Sequence, residues 1–170
     1  MIGIFGAIWG LAGFSFLLLY SIFRLTPIAL DTFSYDLRWY HWAILVINTA
    51  FMAYFEGYRG FQKGFSPRLA ARAKHIKNHP NVFHVLLSPL YCAGYFHASK
   101  RRKIVAYSLT AGIMILVLLI RLLDQPWRGI VDAGVVVGLS WGLISLLIFG
   151  VLAFTSKSFD HSPEVPEPRR

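Results

Sequence analysis

The sequence predicts an all-α integral membrane protein. Four transmembrane helices are expected, with a basic amphipathic helix and a re-entrant or interfacial helical segment between the second and third. Three observations carry this reading. Of 170 residues, 56% are hydrophobic and 15% charged, too little polar surface for a soluble domain of this length. The apolar residues gather in runs of about 20, the length a helix needs to cross a hydrocarbon core. Charge is also distributed unevenly. The net charge is +9, yet residues 57–123 contain no acid, and all eight acids lie at or before Glu56 or at and after Asp124.

The first expected span covers residues 2–23. It starts at Met1 without a basic n-region or an AxA-like site, which reads against a cleaved signal peptide. Arg24 ends it, and Pro27 and Asp31 mark a loop. The second span, 39–58, has Trp39, Tyr40 and Trp42 at one end and Tyr54, Phe55 and Tyr58 at the other. Amphipathic rings prefer the two membrane interfaces, so they bracket a crossing. Asn48, in mid-span, is expected to hydrogen-bond a neighbouring helix. The third and fourth spans cover 104–123 and 130–154. The connection Asp124–Gly129 between them is short, which predicts antiparallel neighbours. Residues 1–154 thus form one helical membrane domain, and the polar, Pro-rich tail 155–170 reads as disordered.

Residues 59–103 carry most of the basic charge. Cytoplasmic loops are enriched in Lys and Arg, which puts this region and both termini on the cytoplasmic side of a bacterial inner membrane or its organellar equivalent. Ser66-Pro67 is a helix-start signal, with Ser as N-cap and Pro at the first helical position. The helix that follows should end near Asn78, before Pro80, and lie with its bases on an anionic leaflet. The apolar stretch 82–97 contains Ser88-Pro89 at its middle. A crossing there would put one basic cluster outside, so it reads as a re-entrant or interfacial pair of short helices, with a fifth crossing as the alternative.

Small residues at regular spacing suggest close helix approach. Gly134, Gly138 and Gly142 form two overlapping GxxxG steps, a glycine zipper, and Gly3, Gly6, Gly10 and Gly13 form a second stripe. These faces serve either to pack the first span on the fourth or to form an oligomer seam. Arg121, Asp124, Arg128 and Asp132 are spaced for mutual ion pairing at the outer connection, with an ion-handling site as the alternative. Glu56 is the one acid beside the basic loop, and Arg59 follows at i+3. Gly57, Gly60 and Gly64 would let the backbone fold back there. Glu56 and Arg59 read as an interfacial pair. Alternatively, Arg59 and Lys63 bind an anionic ligand walled by Tyr58 and Phe61. Arg68, Arg72, Lys100, Arg101, Arg102 and Lys103 extend that candidate lipid-binding surface. KRRK at 100–103 abuts a membrane helix, so it reads as a topology anchor rather than a nucleic-acid patch.

Catalytic and metal signatures are missing. There is no GxSxG, HExxH, Walker or Rossmann pattern. The single Cys92 excludes a CxxC redox pair and a CxxCH haem attachment. His75 and His79 are four apart, but bases flank them and no Cys, Asp or Glu lies nearby as a further ligand. No cofactor and no metal are expected. The expected function is a non-enzymatic accessory, assembly or scaffold role. The protein would bind partner membrane subunits, copies of itself or anionic lipid through its glycine-lined faces and basic loop. A small oligomeric transporter or channel is the first alternative. A membrane enzyme acting on lipid or quinone, using His84, His97 or Tyr91, is the second.

Overall fold

The structure, a computed structural model, describes residues 1–156, 159 and 161–163, and among these every regular element is helical. Helix α1 spans Ile2–Asp31 and ends in a 3-10 turn, Thr32–Ser34. Helix α2, Trp39–Met52, runs directly into a π-helical segment, Ala53–Phe65, and then into α3, Ser66–Asn78. Two short helices follow, α4 (Val82–Leu86) and α5 (Ser88–Ala93), then the long α6 (Lys100–Ile120) and α7 (Trp127–Thr155). Three stretches are long and apolar enough to cross a membrane: Ile2–Ser34, Lys100–Ile120 and Trp127–Thr155, with mean hydropathies of 2.1, 2.2 and 2.4.

Several boundaries differ from the sequence expectation, each for a local reason. Arg24 and Pro27 do not end the first helix. Pro27 removes one backbone donor, but α1 continues to Asp31 because its last turns are held against the start of α7. There Gln125 Nε2 donates to the Ile28 carbonyl (3.2 Å) and to Asp31 Oδ2 (3.2 Å), and Gln125 Oε1 accepts from the Gly129 amide (3.0 Å). Nor does the chain leave the helix after Tyr58. Gly57, Gly60 and Gly64 sit inside the π-helical segment rather than in a loop. A Cβ on Gly60 or Gly64 would lie 3.2–3.3 Å from the carbonyl oxygen five residues earlier, so the wide turn favours glycine sterically.

Ser66 is not an N-cap. The helix is continuous through it, and its hydroxyl is buried without a hydrogen-bond partner. The α3 helix is also not a surface helix. Leu69, Ala70, Ala71, Ala73 and Ile76 are all buried, packed among α1, α5 and α7. Its small residues allow neighbours to approach from several sides, so apolar contacts surround much of the helix instead of one narrow face. The stretch 82–97 does break near Ser88-Pro89, into α4 and α5. The tail expectation for 155–170 meets a different start, since Thr155 closes α7. Much of it (157, 158, 160 and 164–170) lies outside the described residues.

Both glycine stripes are filled from within the chain. The α1 stripe faces α3, α4 and α5. A Cβ on Gly6 would lie 2.8 Å from Val85 Cγ2, one on Gly10 2.5 Å from Ser88 Oγ, and one on Gly13 2.8 Å from Pro89 Cγ. The α7 stripe faces α2 and the π-helical segment: Gly134 meets Asn48, Gly138 meets Glu56 and Gly142 meets Phe61. Helices α1 and α7 do pack on each other, but through other residues, such as Leu11 against Gly150. The core between them joins Leu18, Leu69, Ile76, Tyr91 and Leu146.

The elements define two ends. At the basic end lie the start of α1, the end of α3 and the end of α7, where Lys77 Nζ sits 5.3 Å over the Phe154 ring. At the aromatic end Trp127 contacts Tyr40 and His41, and Phe33 contacts Trp42. There His41 Nδ1 also accepts from the Arg38 amide (3.1 Å), closing the start of α2.

Helix α6 stands apart. It follows α5 closely and precedes α7 by a short connection, yet it packs along neither, contrary to the antiparallel pairing expected. Among the described residues its N-terminal half is held, by Arg102 beside Gly94 and by Tyr95 against Thr110 and Tyr107.

This division predicts opposite responses to one substitution. Gly138→Ile forces side-chain atoms against Glu56 and should cost about 1–3 kcal/mol as an overpacked interface. Gly112→Ile, on α6 with nothing within 4 Å of its Cβ position, should not lower stability and should raise it by a few tenths of a kcal/mol through helix propensity alone. Thermal unfolding in mild detergent, followed by near-ultraviolet circular dichroism, checks both.

Candidate functional site

The basic end is organised around Arg72, which the sequence placed on a lipid-facing surface. It is 1% exposed. Its Nε donates to the Tyr91 carbonyl (2.7 Å), Nη1 to the Pro163 carbonyl (2.9 Å), and Nη2 to the carbonyls of Phe96 (3.0 Å) and His97 (3.1 Å). The guanidinium carbon also lies 4.3 Å from the centre of the Tyr91 ring. Taking such a charge out of water costs several kcal/mol. Hydrogen bonds from a charged donor contribute about 1.5–3 kcal/mol each, so four carbonyls offset the burial. They come from α5, from the loop after it and from the tail, which Arg72 therefore ties to α3.

That loop has a strained path. Gly94 ends α5 at φ +92°, a conformation only glycine adopts without penalty, and His97 has φ +49°. Arg102, a second residue assigned to the lipid surface, is 7% exposed and packs against Gly94. The bases that do face outward are Arg59, Lys63, Lys77, Lys100 and Arg101, with Lys103 and Arg68 half-buried.

Imidazoles cluster on this hub. His84 lies 4.8 Å from His97 and 4.6 Å from Tyr91, ring centre to ring centre, and His75 is stacked on His79 at 4.8 Å. Burial holds His75 below the ordinary histidine range, assisted by His79 and Arg72, and burial followed by His97 and Arg72 does the same to His84. Among the described residues, no three His, Cys, Asp or Glu side chains converge as a metal site. Cys92 is buried against α1, and burial pushes its thiol up to about 11. Ser88 beside it donates to the Gly6 carbonyl (2.6 Å), leaving neither side chain placed as a nucleophile.

The second concentration of polar groups lies in the seam where α7 meets α2 and the π-helical segment. Asn48 Nδ2 donates to the Ile130 carbonyl at 2.9 Å, the interhelical bond expected of it. Two turns further, Glu56 faces Gly138 with Oε2 buried and unbonded. It makes no ion pair with Arg59, because the wide turn directs Glu56 at α7 while Arg59 is exposed. At about 1.5 Å per residue, Gly138 lies about 16 Å along α7 from Trp127, so Glu56 is not at the edge of the helix bundle. Of the residues suggested to wall a ligand pocket in this stretch, Phe61 and Tyr58 are engaged within the chain. Phe61 packs into the core at Gly142, while Lys63 Nζ sits 4.6 Å over the Tyr58 ring.

At the aromatic end only part of the expected ion-pair cluster assembles. Arg128 Nε is 3.8 Å from Asp132 Oδ2, and Asp132 is 3% exposed. The side chains of Arg121 and Asp124 form no ion pair or hydrogen bond among the described residues. Gln125 is a structural residue that the sequence reading did not single out, while Arg72, read as lipid-facing, and Tyr91, read as a possible catalytic group, are packed into the hub instead. Only Gln125 had a local signal, its place beside Pro126 in a short connection.

The histidine cluster makes stability depend on pH with a definite sign. Folded-state values below the ordinary 6.5 mean that the unfolded chain takes up protons first as pH falls. The contribution is whole above about pH 6.5 and is lost progressively below it. Unfolding of wild type should become easier from pH 7 to pH 5, and a His75→Gln, His84→Gln variant should flatten that slope.

Compared with known proteins, the chain matches no family model, no curated protein and no solved structure.

Proposed function

We propose that the chain is a non-enzymatic, multi-pass membrane subunit that docks the transmembrane helix of a partner membrane protein on α6. In this reading α1, α2 with the π-helical segment, α6 and α7 cross the bilayer, and α4 with α5 dips in from the basic end without crossing. That end is cytoplasmic, and its exposed bases Arg59, Lys63, Lys100 and Arg101 meet anionic headgroups. The single observation that carries the docking role is Gly112. A glycine inside a helix costs about 1 kcal/mol relative to alanine. The glycines of α1 and α7 return that cost through close packing inside the chain, whereas Gly112 meets nothing within 4 Å. Ser108, one turn earlier, is exposed on the same face, giving the small-xxx-small spacing that lets another helix backbone approach.

A second reading, proton- or ion-driven transport, is favoured by the unbonded Glu56 oxygen in the α2–α7 seam. One set of variants separates the two. For the subunit role, the Gly112→Ile protein stays folded and monomer-competent but loses a stoichiometric membrane partner on purification in mild detergent. Wild-type protein that elutes alone and monomeric contradicts it. Self-association lost in Gly112→Ile would make the partner a second copy. For the transport role, ion flux into proteoliposomes should depend on Glu56 and vanish in Glu56→Gln.

A further inference from the structure

A cleft of about 660 Å³ opens at the aromatic end, where α1 ends, α6 ends and α7 begins. Its charged lining is balanced: Arg121 and Arg128 against Asp31 and Asp124. Pro27, Ile28 and Leu123 supply apolar wall, and the exposed, apolar α6 rises beside it.

From this we infer that the cleft is a binding site for the headgroup of a zwitterionic phospholipid carrying a primary ammonium, of the phosphatidylethanolamine class. Four observations support the assignment. First, Arg121 and Asp124 are charged, three residues apart and engaged by no other side chain among the described residues, so both are available to a ligand with charge of each sign. Second, the level is right. Tyr40, His41 and Trp127 pack together at this same end, and Trp and Tyr settle at the headgroup layer. Third, a net-neutral lining offers no attraction to a net anion, which separates this cleft from the basic end. Fourth, carboxylates accept hydrogen bonds from an ammonium with N–H donors, whereas a quaternary ammonium has none to give. In the proposed pose Arg121 and Arg128 bind the phosphate, Asp124 and Asp31 receive the ammonium, and the acyl chains run down α6. The cleft keeps its shape without the ligand because Gln125 rivets α1 to α7 through bonds to Ile28, Asp31 and Gly129.

The test uses native mass spectrometry of the full chain in mild detergent, given equal amounts of phosphatidylethanolamine, phosphatidylcholine and phosphatidylglycerol. The expected result is preferential retention of one phosphatidylethanolamine. It should fall about tenfold in the Arg121→Gln, Asp124→Asn double variant, the equivalent of about 1.4 kcal/mol for two partly exposed charge contacts. Both side chains are unbonded, so the variant should unfold at the wild-type temperature. Equal retention of all three lipids overturns the inference, as does phosphatidylethanolamine retention that the double variant leaves unchanged. Soluble phosphoethanolamine that binds as well as the lipid would overturn the lipid assignment in favour of a free zwitterion.

Discussion

A guanidinium folded into an apolar interior constrains everything around it. Arg72 cannot reach water, so the chain must bring acceptors to it, and among the described residues four carbonyl oxygens arrive from three places in the sequence. That requirement fixes α5 against α3, sets the unusual path through Gly94 and His97, and brings Pro163 back to α3. The start of α6 is fixed as a consequence, since Arg102 packs on Gly94. Replacing the buried charge by an apolar side chain would remove the need for those carbonyls. Its presence ties separate segments to one end of the molecule.

Glycine spacing supplies the complementary constraint. Seven glycines on α1 and α7 remove the side chains that would otherwise hold neighbours off, and each stripe takes a different set of neighbours. The α1 stripe admits α3, α4 and α5, while the α7 stripe admits the long helical run through Asn48, Glu56 and Phe61. Helix α6 has no such groove to enter, so it stands off from a bundle that is already closed. The membrane surface of the molecule thus has two parts: a tightly packed body, and one helix free to meet lipid or another protein.

The apolar runs and their order were legible in the sequence, because membrane-length hydrophobicity is a local property. The break at Ser88-Pro89 was legible for the same reason, as was the interhelical bond from Asn48. What was not legible depended on tertiary partners. Pro27 reads as a stop, yet the Gln125 bonds carry α1 past it. Gly57, Gly60 and Gly64 read as a flexible loop, but a π-helical turn uses them to keep the chain helical. Arg72 sits between Ala71 and Ala73 in a run of bases, and nothing local separates it from Arg68 or Lys74. Its burial follows from carbonyls 19 to 91 residues away. The glycine stripes were visible, but their partners were misassigned, since spacing shows that a close approach occurs and not which element makes it.

The Arg72 fork holds the loop after α5. Hydrogen–deuterium exchange on an Arg72→Lys variant tests it most directly, because lysine keeps the charge but cannot span four carbonyls. Exchange should quicken at the amides of residues 94–99 and in the first turn of α6, with α7 unchanged between Gly134 and Gly142. Exchange in that loop identical to wild type would contradict it.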